Sequence, residues 1–154
     1  MLGVVAGVDD FRMTPRFERK EETPTLDREL FDSLRIDLGD EAMSNLVMLF
    51  SERAPQLREL GRATRRDDGP AVAQIAHSLR GGAAILAAKK LAEIAEELEQ
   101  RGLGELEEGS EKLANEATME FERAVSVMRA QLAVPARSPA GDTAPDSSEV
   151  SAAG

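Results

Sequence analysis

Apolar residues recur along this chain at spacings of three and four, with no sustained alternation anywhere. That period belongs to amphipathic helices rather than strands. Leu26, Leu30, Leu34 and Leu38, with Phe31 beside them, predict a short first helix. Thr23-Pro24-Thr25 predicts its start, with Thr23 capping and Pro24 first in the helix, or with Thr25 capping. Gly39 ends it, and Asp40 can cap the next helix. That helix carries Met43, Leu46, Val47, Leu49 and Phe50, then Leu57 and Leu60. Pro55 interrupts the pattern. It lacks an N–H and its ring clashes with the Ser51 carbonyl, so the helix must kink or split there. Gly61 and the polar run Arg65-Arg66-Asp67-Asp68-Gly69 predict a turn.

Asp68 or Gly69 can cap a central helix with Pro70 in its first turn, running to about Leu86. Val72, Ile75, Ala76, Leu79, Ala83 and Leu86 form its apolar stripe. Leu91, Ile94, Ala95 and Leu98 form the stripe of the next helix. Arg101-Gly102-Leu103-Gly104 closes it, with Gly102 expected as a left-handed cap. A last long helix starts near Glu105 or after Gly109. It carries Leu113, Ala117, Phe121, Ala124, Val125, Met128 and Leu132, and Pro135 stops it. The expected fold is all-α: an antiparallel four-helix bundle with an additional short N-terminal helix, spanning residues 24–133. Residues 1–23 show no sustained period and read as a flexible arm. Residues 134–154 are rich in Pro, Ala, Ser, Gly and Asp and read as a disordered tail.

Composition narrows the function. Hydrophobic residues make up 42% of the 154, aromatics only 3%, and Trp and Tyr are absent, which suits packed helices better than sheets. A net charge of −10 argues against nucleic-acid binding, which needs basic surface, and against an anionic membrane. No stretch is long and uncharged enough to span a bilayer or form a secretory signal core, so a cytoplasmic location is expected. The absence of Cys removes disulfides and thiolate metal sites. With a single His as well, a transition-metal site on Glu93, Glu96, Glu97 and Glu99 is not expected, and these read as a solvated face. No Gly-rich loop followed by Lys-Ser/Thr marks a nucleotide site.

That single histidine, His77, falls roughly 140° from the centre of the central helix's apolar stripe and should face outward. Its surface neighbours would be Ala73, Arg80, Gly81 and Ala84. A lone helical His is ordinarily a solvated or core residue; the position off the stripe disfavours core. Arg80 alone would read as a solvated charge. Gly81-Gly82 costs roughly 1 kcal/mol per Gly relative to Ala, so close packing or the approach of a partner must offset it. Ile85 falls near the polar side as an exposed apolar contact.

The run from Ala76 to Glu99 resembles the histidine-containing phosphotransfer (HPt) family. Ala76, His77, Leu79 and Gly81 match its Ala-His-x-Leu-Lys-Gly signature, and Arg80 keeps the charge of the family Lys. Ala88, Leu91, Leu98 and Glu99 match the segment that follows, and Phe50, Ala54 and Pro55 extend the likeness upstream. Ala87 stands where the family usually has Gly; Ala fits a helix, so altered local geometry is expected there rather than lost function.

The resemblance implies a phosphorelay protein that carries a phosphoryl group between receiver-domain aspartates on His77, through Nε2. Arg80 would stabilise phosphoryl charge. Ala73, Gln74, Gly81, Ala84 and Ile85 would form the docking surface, and Glu99 would support the histidine. The receiver, in a hybrid histidine kinase or a response regulator, would bring the aspartate and Mg²⁺. The chain itself would bind no cofactor or metal, act as a monomeric intermediate rather than an enzyme, and carry no nucleotide site. His77-Ser78-Leu79-Arg80 also resembles a histidine-kinase dimerisation helix, but Gly81-Gly82 replace that motif's Thr-Pro. The competing class is a helical interaction module that binds a receiver without accepting phosphate.

Overall fold

A computed structural model of the protein describes residues 23–135. The expected arm and tail lie outside them, apart from Thr23, Val134 and Pro135. The described residues form six helices and no strand: α1 (Arg28–Leu38), α2 (Asp40–Ser51), α3 (Ala54–Arg65), α4 (Gly69–Ile85), α5 (Lys89–Leu103) and α6 (Ser110–Leu132). No helix among them is long and apolar enough to cross a membrane. The Pro55 interruption is a split, since Pro55 sits in the first turn of α3, where its missing N–H would have no partner anyway. Gly61 lies inside α3 rather than in the turn, and the chain reverses only after Arg65.

The first helix departs from its expected start and face. Neither Thr23 nor Thr25 caps it. Asp27 does, accepting from Leu30 N at 3.2 Å, while Asp27 N donates to Ala87 O at 2.9 Å. Phe31 and Arg35 form its buried side; Leu30 and Leu38 are about half exposed. Arg35 is buried because it serves two helices. Its Nε and Nη2 donate to Asp40 at 2.7 and 3.3 Å. Nη1 and Nη2 reach the carbonyls of Gln131 and Leu132 at 3.1 and 3.3 Å, where the end of α6 leaves acceptors without helical donors.

α3 packs on α4 and α6, and α5 packs on the same two; α1 packs on α2, and α2 on α6. The most extensive pairing joins α4 to α5. Gly102 makes it possible. A Cβ there would stand 2.6 Å from Ala73 N and from Gly69 O, and a Cβ on Gly69 would stand 2.8 Å from Gly102 O. Gly102 is therefore a helix-crossing residue inside α5, not a left-handed cap. The cap is Gly104, at φ −97°.

α4 ends in a Schellman turn built without glycine. Ala88 N donates to Ala83 O at 2.8 Å and Ala87 N to Ala84 O at 3.2 Å. Ala87 takes the left-handed position at φ 64° and is buried. The expectation that Ala87 would sit in a helix does not hold: it adopts the conformation that Gly adopts most easily.

Candidate functional site

Asp68 starts α4 by accepting from Ala71 N at 3.2 Å, with Pro70 in the first turn. From there the periodicity of α4 buries Val72, Ala76, Leu79 and Ala83. His77 is left 67% exposed at its side chain, on the outer side of the helix.

Glu99 reaches across from α5 and binds two residues of α4. Its Oε2 lies 2.8 Å from His77 Nδ1, and its Oε1 accepts from Arg80 Nε at 3.0 Å. Partial burial pushes the Glu99 carboxyl up. The hydrogen bond from His77 and the charge of Arg80 outweigh it, so the group lies below the ordinary carboxylate value. An ionised carboxylate only accepts hydrogen bonds, so Nδ1 must carry the proton and donate. Arg80 Nη2, 3.4 Å from Nδ1, is then a neighbouring charge rather than a donor to that nitrogen. With Nδ1 protonated in the neutral ring, the lone pair lies on Nε2.

The expected docking residues divide. Gln74, Gly81, Ala84 and Ile85 are exposed, Ile85 at 63%. A Cβ on Gly81 would meet nothing within 4 Å, so no helix packs there. Ala73 is buried beneath Gly102 and does not belong to the exposed neighbourhood of His77. It lies on the side of α4 that α5 covers, the side from which Glu99 approaches.

Arg53, between α2 and α3, borders the other side of this strip. Its Nη1 donates to Ser78 Oγ at 3.0 Å, and a Cβ on Gly82 would lie 3.2 Å from its Cζ. Nothing in the local spacing around His77 points to a residue 24 positions upstream. The one signal is Gly82, the bare backbone over which the guanidinium lies. The four glutamates of α5 do not converge. Glu93 accepts from Thr23, Glu97 from Arg101, and Glu99 from His77 and Arg80.

Residues 44–132 match the model of the Hpt domain family. The chain belongs to the Hpt domain family. The crystal structure of histidine-containing phosphotransfer protein B (HptB) from Pseudomonas aeruginosa PAO1 is similar to this Hpt chain. The likeness covers 72% of this chain and 96% of that one, with a TM-score of 0.65 and 26% identity. No curated protein matches the sequence. The function of the chain is thus histidine phosphotransfer in a two-component phosphorelay. Members of the Hpt family act as phosphotransfer intermediates that interact with receiver domains, and a module that only binds is not favoured.

Proposed function

We propose that His77 is the residue that carries the phosphoryl group, through Nε2. The observation that carries this reading is the bond between Glu99 and Nδ1, which fixes the tautomer and leaves the lone pair of an exposed ring on the other nitrogen. Nε2 attacks the phosphorus of a receiver's aspartyl phosphate. The N–P bond forms, the P–O bond to aspartate breaks, and the aspartate leaves as a carboxylate. The ring gains positive charge as it bonds to phosphorus, and the Glu99 carboxylate facing Nδ1–H offsets that charge. Arg80 stands beside the ring and can turn toward the phosphoryl oxygens. Phosphoryl transfer of this kind needs mainly alignment and charge stabilisation.

Gln74, Gly81, Ala84 and Ile85 form the surface on which the receiver docks, with Arg53 at its edge. The receiver contributes the aspartate and Mg²⁺, and belongs to a hybrid histidine kinase or a response regulator. This chain works as a monomer with no cofactor or nucleotide site of its own. In the same reading α2 and α3, as one helix split at Pro55, form the antiparallel four-helix bundle with α4, α5 and α6, and α1 is the additional short N-terminal helix.

The test is transfer from a phosphorylated receiver to the purified chain. Wild type should acquire acid-labile, alkali-stable phosphate, and His77→Gln should acquire none while keeping its helical circular dichroism. Phosphate on the variant would overturn the assignment. Receiver binding by the wild type without phosphate would favour the interaction module.

A further inference from the structure

Arg53 sits where local chemistry disfavours it. It is the N-cap residue of α3, brought there by the split at Pro55, and its side chain makes no capping hydrogen bond. Ser, Thr, Asp and Asn suit that position, and a cation there meets the positive end of the helix dipole. Its charge also lacks a counterion. Among the described residues Arg35, Arg53, Arg80 and Arg101 are the arginines that are wholly or partly buried. Arg35 pairs with Asp40, Arg80 with Glu99 and Arg101 with Glu97. Arg53 pairs with no carboxylate among the described residues. Its Nη1 donates to Ser78 Oγ at 3.0 Å and lies 3.4 Å from Ser78 O and 3.5 Å from Gln56 Oε1. Nε and Nη2 find no acceptor among the same residues. In a chain of net charge −10, this half-buried guanidinium is left uncompensated.

Gly82 lets that group lie close against α4. A Cβ there would stand 3.2 Å from both Cζ and Nε and 3.4 Å from Nη2. Near-equal distances mean that the guanidinium presents its face to Gly82, which leaves the Nε–Nη2 edge open. The second glycine of the Gly81-Gly82 pair is thus accounted for by Arg53, as open space accounts for the first. Around α4, Ser78 and Gly82 lie roughly 100–140° from His77 on one side, and Arg80 about 60° away on the other. Gln74, Gly81 and Ile85 fall between His77 and Ser78. The docking strip is therefore bounded by two cations. Arg80 is neutralised by Glu99, and Arg53 is not.

We infer that Arg53 takes a carboxylate side chain of the docked receiver, and so helps decide which receivers this chain accepts. The inference rests on the docking surface proposed above. Nε–H and Nη2–H form a planar pair of donors that matches a carboxylate with two parallel bonds. Arg35 uses the same edge to hold Asp40, at 2.7 and 3.3 Å. The bond from Nη1 to Ser78 orients the edge of Arg53 before a partner arrives, so less freedom is lost on binding.

The probe is a receiver domain that binds the full wild-type chain in titration calorimetry. At low salt Arg53→Met, which keeps an apolar stem over Gly82, should weaken that binding about tenfold, and Arg53→Glu should weaken it further. Arg53→Lys keeps the charge without the fork and should fall between wild type and Arg53→Met. High salt should shrink these differences. In transfer from the phosphorylated receiver, Arg53→Met should raise KM and leave kcat unchanged, because the contact binds ground state and transition state alike. A lower melting temperature with unchanged affinity would make Arg53 only a staple between α3 and α4, and would overturn the inference. So would a fall in kcat at constant KM, which would assign Arg53 to the phosphoryl group. Gly81→Gln separates this inference from the surface it rests on. Binding weakened by Gly81→Gln but unchanged by Arg53→Glu would overturn the inference and keep the surface; binding unchanged by both would overturn both.

Discussion

Replacing Glu99 separates two roles of one carboxylate. Glu99→Gln keeps an oxygen that can accept from Nδ1–H but removes the charge facing it. Weakening one charge-assisted bond by about 1.4 kcal/mol should slow transfer roughly tenfold, and Glu99→Ala, which also frees the tautomer, should slow it further. Wild-type rates in both variants would reduce Glu99 to an ordinary surface partner. Its second role is in folding. The folded value lies below the ordinary 4.5, so the stabilisation is fully present above that pH and is lost as pH falls through the depressed value. Urea unfolding at pH 3 to 7 should show a stability difference between wild type and Glu99→Gln that is constant near neutrality and shrinks in acid. Gly81 gives an independent residue-scale test. Open space at its Cβ means that Gly81→Gln should leave the melting temperature unchanged or slightly raised. Transfer should fall strongly, because the reacting atoms must approach within about 3–3.5 Å. A marked drop in melting temperature would place Gly81 in a packed interface. The outward turn of His77 was legible from helical phase alone. The burial of Ala73 was not, because phase places a residue on a side of the helix without saying which neighbour covers that side.

Among the elements, the join between α4 and α5 carries the most consequence, since it sets α5 and hence Glu99 against His77. Its Schellman turn places Ala87 in a conformation that costs a non-glycine residue roughly 1–2 kcal/mol. Ala87→Gly relieves that strain but removes a buried methyl worth roughly 0.8 kcal/mol and adds freedom to the unfolded chain. The two sides nearly cancel, so this variant should stay within about 1 kcal/mol of wild type. Ala87→Val adds branching in the left-handed region and volume at a buried site, and should lose about 2–3 kcal/mol. Chemical denaturation of both variants checks the order; a loss above about 2 kcal/mol for Ala87→Gly would show that the methyl's packing dominates. Helix existence was legible wherever the period was long, as in α4, α5 and α6. Glycines were the harder signal. Gly102 has the spacing of a cap, yet it serves a backbone crossing with Gly69, and only the partner helix distinguishes the two. The Leu26–Leu38 repeat misled for a related reason. Four-residue spacing drifts around a helix: Leu26 and Leu34 still meet the core, but Phe31 and Arg35 are the buried residues of α1, and Leu30 and Leu38 are half exposed.

Across the whole molecule, Arg35 is what ties the N-terminal helices to the rest. Nothing in the leucine repeat around it singles Arg35 out. Its burial becomes intelligible only when the end of α6 is placed beside it, because α6 finishes there with carbonyls to satisfy. Gln131 adds a second tie by donating to Asp32 at 3.0 Å. The guanidinium also holds the Asp40 carboxyl below its ordinary value through its hydrogen bonds. Arg35→Ala would leave the Gln131 and Leu132 carbonyls without that donor and open space at a buried position. Charge-assisted bonds of this kind contribute about 1.5–3 kcal/mol. The variant should therefore melt roughly 10 °C lower, at about 4–8 °C per kcal/mol for a domain near this size. Arg35→Lys should recover little, because an ammonium cannot reproduce the planar fork that spans Asp40 and two carbonyls. Both variants should still accept phosphate well below their transitions, since Arg35 touches neither His77 nor Glu99. A melting temperature within about 3 °C of wild type would show that α1 is an accessory whose contact with α6 adds little. Loss of transfer in a chain that remains folded would mean that the α1 and α2 layer supports the phosphotransfer surface as well as covering the core.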